Sequence, residues 1–292
     1  MATLRDIKLR IKGIKNTEKI TNAMKMVAAA KLRKAQERVT SARPYAHKIS
    51  SMISHLVSPE DFSSFPLLEI REVKKVIVVV LSADRGLCGA FNTNIIKETH
   101  RLINEVLSPN GINTQLLCIG KKGFDYFKKH DIQMLDKMIG VFSSLEFNTT
   151  NKVSDILVNG YLQNKFDKII FVYNEFKSII QQKVINETLL PISIEAAKIE
   201  EGKNEANYIF EPNKKEILKY LLPKHLSAQI WRMLLESNAA ELGARMTAMD
   251  NATTNAKELI RTLTITYNKE RQAAITKEIL EIVSGANALR EA

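Results

Sequence analysis

LSADRGLCGAFNTNI, residues Leu81–Ile95, decides how the middle of this chain is read. The apolar run VKKVIVVVLS leads into it, and the helix-like segment NIIKETHRLINEVL follows. Strand, glycine-bearing turn, helix is a layout that often cradles a phosphate. The glycines, however, are spaced GxxG at Gly86 and Gly89, with no Lys-Ser or Lys-Thr behind them. A phosphate loop needs GxxxxGK[ST] and a dinucleotide site GxGxxG. The glycines therefore read as turn-makers, with nucleotide binding by an enzyme as the competing possibility. Either way, Arg85 and Cys88 are expected on display at the strand's C-terminal edge, where α/β sheets present functional loops. A docking surface is a third reading.

Outward from this stretch, QLLCIG (115–120) and KIIFVYN (168–174) are further short runs rich in β-branched residues, and another strand is expected around Gln182–Leu190. Helix-like segments at 92–107, 121–130 and 153–166 separate them, so a largely parallel sheet is expected. EEGKNEANY (200–208) reads as loop.

The two ends read differently. Thr3 and Asp6 make a capping box before apolar residues spaced by threes and fours: Leu4, Ile7, Ile11, Ile14, then Ala28, Leu32, Ala35, Val39 and Ala42. Between these, Glu18, Thr21 and Lys25 occupy the register, while apolar residues move to Ile20, Met24 and Val27. The reading is a coiled-coil seam that stutters in the middle. Pro44 is expected to kink this helix and Pro59 to end it. The tail carries a matching stripe on a proline-free stretch from Lys224: Leu235, Ala239, Leu242, Met246, Met249, Thr253, Ala256, Ile260, Leu263 and Tyr267, with a shifted register (Ile275, Ile279, Ile282, Ala286, Leu289) beyond Glu270. A helix from Lys224 to Leu289 is about 100 Å long and needs a partner of matching length. The N-terminal helix is the one available in the chain. The fold expected is α/β plus long helices: an antiparallel coiled coil of the terminal segments 1–58 and 212–292, with a Rossmann-like α/β domain, 73–210, inserted.

Composition narrows the function. The net charge is +11, and residues 1–58 hold thirteen lysines and arginines against three acids (Asp6, Glu18, Glu37), so they carry +10 of it. Such a block meets something acidic. A nucleic-acid-binding role is the alternative, but that segment lacks aromatics for base stacking and no reader module is evident. The five histidines are scattered, with no metal-ligand spacing, and Cys88 and Cys118 form no CxxC pair. Arg85 is placed to lower the thiol pKa of Cys88, but a lone cysteine reads first as inert. No run approaches the roughly 20 apolar residues of a membrane helix, and the start lacks a signal-peptide core. The two cysteines fit a reduced compartment. Gly285 lies within a helix-like pattern, where it costs about 1 kcal/mol against alanine.

Three blocks in order resemble the gamma subunit family of the ATP synthase F1 sector, bacterial type. They are RIKGIKNTEKITNAMKMVAAAKLRKAQ (10–36), SADRGLCGAFN (82–92) and ITKEILEIVSGANA (275–288), the last carrying the family's C-terminal pattern at Ile275, Thr276, Glu278, Glu281, Gly285 and Ala286. The resemblance implies a central rotor shaft with no active site and no cofactor or metal of its own. The coiled coil would stand inside a ring of alternating alpha and beta subunits. The α/β domain would sit, with epsilon, on the membrane ring of c subunits. Ion flow would turn the ring and the shaft, one copy per complex, and drive the beta catalytic sites. By the same resemblance, Met24 and Lys25 lie opposite Arg245, Gln272, Thr276 and Glu278, and these six face beta and alpha. Arg85 and Cys88 dock near an acidic region of beta, and Tyr208, Phe210 and Glu211 face the c ring and epsilon. No close cysteine pair of the thiol-switched members is present. The place implied is the cytoplasmic face of a bacterial inner membrane, reached through the complex.

Overall fold

The structure, a computed structural model, describes residues 3–130, 132–179, 181–192, 211 and 213–291. Long N- and C-terminal helices pack together, and a five-stranded α/β sheet is inserted between them in sequence. The chain falls into two compact units, Met1–Val27 with Met246–Ala292, and Ala28–Arg245.

In the larger unit the elements are β1 (Lys75–Leu81), α3 (Phe91–Arg101), β2 (Asn113–Ile119), α4 (Lys121–Phe127), β3 (Gln133–Met138), α5 (Phe147–Leu162), β4 (Lys168–Phe176) and β5 (Gln182–Leu190). They follow α1 (Leu4–Leu56) and the single turn α2 (Asp61–Ser64), and precede α6 (Lys214–Glu291). The sheet order is β3-β2-β1-β4-β5. The first four strands run parallel and β5 antiparallel at the edge. Central β1 is buried from Val76 to Leu81, which is why it reads as a continuous apolar run rather than an alternation.

Several boundaries differ from the sequence reading. β3, QMLDKM, was not expected: it is an edge strand with mostly exposed side chains, so no apolar pattern marks it. α5 starts at Phe147 and ends at Leu162, because Asn164 turns the chain at φ 56° and Phe166 folds back over Gly160. A Cβ on Gly160 would lie 2.3 Å from the Phe166 ring, so only glycine fits there. α4 stops at Phe127.

The terminal helices are long, 53 residues for α1 and 78 for α6. The expected capping box is present. Thr3 Oγ1 accepts from the Asp6 amide at 3.2 Å, and Asp6 Oδ2 accepts from the Thr3 amide at 3.1 Å. α1 runs on through Pro44, which is exposed. It ends at Leu56, ahead of Pro59. α6 begins ten residues before Lys224 and includes Pro223, also exposed. Its start is set by Asn213, whose Oδ1 accepts from the Glu216 amide at 2.9 Å. Near that start, Lys214 Nζ lies 2.8 Å from the buried Asp61 carboxylate, which also accepts from the Ser58 amide and hydroxyl.

The expected stutter in the α1 seam does not occur. Residues 7, 11, 14, 18, 21, 25, 28, 32, 35, 39, 42, 46, 49, 53 and 56 keep one alternating four-three spacing, and every one is buried or half-buried. Ile20 and Val27, expected to take over the seam, are 59% and 57% exposed. Thr21 and Lys25 stay in the seam because Thr253 and Asp250 on α6 satisfy them.

Candidate functional site

The sheet reverses its winding between β1 and β4, since β2 and β3 lie on one side of β1, and β4 and β5 on the other. In open α/β sheets this is the crevice that takes a ligand. Here it takes the chain's own α6. Gly243 sits where an added Cβ would lie 3.5–3.6 Å from Ile179, Gln182 and Phe176, all at or just past the end of β4. One half-turn on, Arg245 Nη1 donates to the Gly86 carbonyl at 2.7 Å, in the loop after β1. Arg245 also donates to Glu241, through Nε at 2.8 Å and through Nη2. Both side chains of this ion pair are mostly buried. Burial pushes the Glu241 carboxyl up, and Arg245 pulls it back.

The loop itself is closed by short-range bonds. The Ala83 amide donates to Asn92 Oδ1 (2.9 Å). Asp84 Oδ1 accepts from the amides of Lys121 (3.1 Å) and Gly140 (2.9 Å). Those amides, at the C-terminal edge of the sheet, are thus spent on a carboxylate, which repels phosphate. Leu87 and Gly89 both adopt positive φ, 65° and 56°. This twist reverses the expected display. Arg85 is exposed as expected, but Cys88 is buried at 1% exposure, and Leu87 stands out instead at 66%. Cys88 accepts from Asn92 Nδ2 at 3.2 Å. Its thiol pKa is raised, by burial first and then by Glu241, with Arg245 opposing. The raised pKa goes with the inert reading of this cysteine and against a reactive thiol.

In the smaller unit, Thr21 and Thr253 share a buried 2.8 Å hydrogen bond between their hydroxyls. Lys25 Nζ lies 2.6 Å from Asp250 Oδ1. As one number rises the other falls, so the helices run antiparallel. Continued along both helices, this register sets Leu4, the first residue of α1, level with about residue 270. Gln272, Thr276 and Glu278 lie beyond that point. They are not opposite Met24 and Lys25, as expected, but about 33–42 Å further along α6 than Asp250. All three are exposed, as are Ile275, Ile279, Leu280, Ile282 and Val283. Met24 is half-buried.

Comparison with known proteins gives this geometry a family. A sequence profile of the ATP synthase family, described as "ATP synthase", matches residues 3–289. The ATP synthase gamma chain of Chlorobium phaeobacteroides is 52% identical over 295 residues, covering 99% of this chain and 100% of that one. The chain belongs to the ATP synthase gamma chain family. The gamma chain of Chlorobium limicola is likewise 52% identical, over 294 residues, covering 99% and 100% of the two chains. A chain from the central stalk and c ring of the Tetrahymena thermophila mitochondrial ATP synthase is 26% identical with a TM-score of 0.60, covering 80% of this chain and 99% of that one. A chain from a Euglena gracilis mitochondrial ATP synthase structure of OSCP, F1 and c ring shares the fold, with a TM-score of 0.69 at 20% identity, over 98% and 94% of the two chains.

Of the residues matched to the family, Arg245 binds the loop that carries Arg85, and Cys88 is a buried residue of that same loop. Glu211 is exposed. Tyr208 and Phe210 lie outside the described residues. Sequence reasoning missed Leu87, because a non-glycine positive φ leaves no mark in the residue pattern. It also missed Glu241, although an acid four residues before Arg245 on a helix is a readable pairing signal. Among the described residues, no three metal-ligating side chains cluster and no helix is long and apolar enough to cross a membrane.

Proposed function

We propose that this chain is the non-catalytic central rotor stalk of an F-type ATP synthase, with segment 73–210 as foot and segments 1–58 and 212–292 as shaft. It works in one copy per complex, with alpha, beta and epsilon subunits and a c ring. It is held peripherally on the cytoplasmic face of a bacterial inner membrane, and ion flow through the ring turns it against the beta catalytic sites. It uses no cofactor, metal or nucleic acid.

The observation that carries this reading is the end of α6. From Gln272 it runs past the start of α1 in their shared register, with Ile275, Ile279, Leu280, Ile282 and Val283 exposed. An unpartnered apolar face of this kind needs a surrounding protein surface, and a ring of subunits supplies one. The basic outer face of α1, including Lys8, Arg10, Lys12, Lys15 and Lys19, is exposed and suits acidic regions on beta. Screened charge contacts are weak enough to form and break as the stalk turns. Met24, Lys25, Arg85, Gln272, Thr276 and Glu278 are proposed to face beta and alpha. Arg245, and Cys88 as the buried residue of the loop, act by holding Arg85 and Leu87 in place. Tyr208, Phe210 and Glu211 are proposed to face the c ring and epsilon.

The test is co-purification. A tagged chain recovered from gently solubilised membranes is expected to bring alpha, beta, epsilon and c subunits with it. Recovery without alpha and beta overturns the reading.

A further inference from the structure

Between the sheet and both terminal helices lies an ionic network, largely buried at Arg232 and Glu236 and half-exposed at Glu187 and Arg43. Arg232 on α6 donates to Tyr173 Oη on β4 at 3.1 Å and to Glu187 on β5, while Tyr173 Oη donates to the same Glu187 carboxylate at 2.6 Å. One turn along α6, Glu236 lies 3.6 Å from Arg232 and accepts from Arg43 Nε of α1 at 3.1 Å. Arg43 then donates to the Phe176 carbonyl at the end of β4, at 2.9 Å. The Glu236 side chain is 2% exposed and Tyr173 is fully buried.

Four elements, α1, α6, β4 and β5, thus meet at five side chains. Stability alone does not call for this arrangement. Taking the charges of Arg232 and Glu236 out of water is costly, and apolar residues of similar volume often hold a core at least as well. Apolar contacts, however, are non-directional, and packed helices slide over one another by small shear. A forked guanidinium fixes its acceptors in a plane. With forks on both helices and acceptors on two strands, neither helix rotates or slides on the sheet without breaking a charge-assisted bond.

We propose that Arg232, Glu236, Arg43, Glu187 and Tyr173 form the stiff joint that carries twist between the sheet and the paired helices, with Arg232 as its positioning residue. This rests on the rotor-stalk reading.

The test uses the whole enzyme in membranes, with Arg232→Met, which keeps bulk and removes the fork. Assembly, ATP hydrolysis and the KM for ATP are expected to stay close to wild type. Angular fluctuation of a bead on the c ring, with F1 fixed and no ATP, is expected to grow by roughly twofold or more, and ATP-driven ion pumping against a gradient to fall by a similar factor. Arg232→Lys, a point charge without the fork, is expected to recover less than half of the loss. A merely structural role would lower assembly and hydrolysis together and leave the fluctuation of assembled complexes unchanged. That result, or unchanged pumping, overturns the joint. If Arg232→Met does not assemble, Glu187→Gln, which keeps the shape and removes the charge, is read by the same two criteria. A wild-type complex whose c ring does not turn with this chain counts against the stalk reading and not against the joint.

Discussion

Arg245 donates a 2.7 Å hydrogen bond to the carbonyl oxygen of Gly86, so the C-terminal helix closes the crevice at which a doubly wound sheet would otherwise bind a ligand. The same guanidinium neutralises Glu241. Arg245→Ala therefore leaves a buried carboxylate alone, at a cost of roughly 3 kcal/mol. Urea unfolding of the purified chain checks this. Adding Glu241→Gln is expected to restore part of the loss, and a second variant no more stable than the first would tell against the pairing.

The seam bond between Thr21 and Thr253 makes an asymmetric prediction. Thr253→Val removes one partner of a buried hydroxyl pair and is expected to cost about 1–2 kcal/mol, whereas replacing both threonines by valine is expected to be close to neutral. Thermal melting of the three variants gives the comparison.

His225 sets a pH dependence. Burial, and next Arg232, hold its imidazole at about 4, below the ordinary 6.5, with Glu187 opposing. Between those values the unfolded chain binds a proton that the folded chain does not. The contribution is thus fully present above pH 6.5 and is lost as pH falls toward 4, by roughly 3 kcal/mol in all. Asp61 acts in a lower window. Burial raises its pKa, but Lys214 and Ser58 outweigh that and hold it at about 2, so its contribution is present above 3.8 and lost below. Urea midpoints measured from pH 7 to 4 are expected to fall steeply for the natural chain and less steeply for His225→Leu.

Gly120 admits no side chain. At φ 105°, an added Cβ would lie 1.9 Å from the Ser82 carbonyl oxygen. Gly120→Ala is expected to cost more than about 4 kcal/mol and to abolish a cooperative transition. Gly111, also at positive φ (69°) but open to space, is expected to tolerate alanine for about 1 kcal/mol. Circular dichroism melts of the two variants separate crowding from backbone strain.

Ile282 is exposed near the end of α6. Ile282→Glu is expected to change the stability of the isolated chain by less than about 0.5 kcal/mol and yet to lower ATP hydrolysis by the assembled complex. Equal activity in the variant and natural complexes would remove this face from the proposed bearing surface.

Three strands of the sheet were legible from two-sided burial, and the half-exposed edge strand β5 was legible without it. β1, β2 and β4 are saturated with Val, Ile and Leu because helices cover both faces, while the exposed edge strand β3 carries no such mark. The helix pair was legible from its spacing. Its middle was misread because hydrophobicity was followed at Ile20 and Val27, whereas geometry held the register and placed Thr21 and Lys25 inside. Polar residues in a seam are readable only with their partners, here Thr253 and Asp250, more than two hundred residues away in sequence. The loop was misread for a local reason. Positive φ at Leu87 turns Cys88 inward, and no residue type announces it. The burial that raises the Cys88 thiol follows from the same turn.

The threonine pair has one more consequence. Slide one helix past the other by seven residues and Thr21 faces Ile260, with Lys25 against Lys257, or else faces Met246. A hydroxyl is stranded among hydrocarbon either way. The two helices therefore carry a single index mark, like the one coincident line on a vernier scale. The length by which the C-terminal end outruns the N-terminal one is then a constant of the molecule, not a quantity that drifts under load.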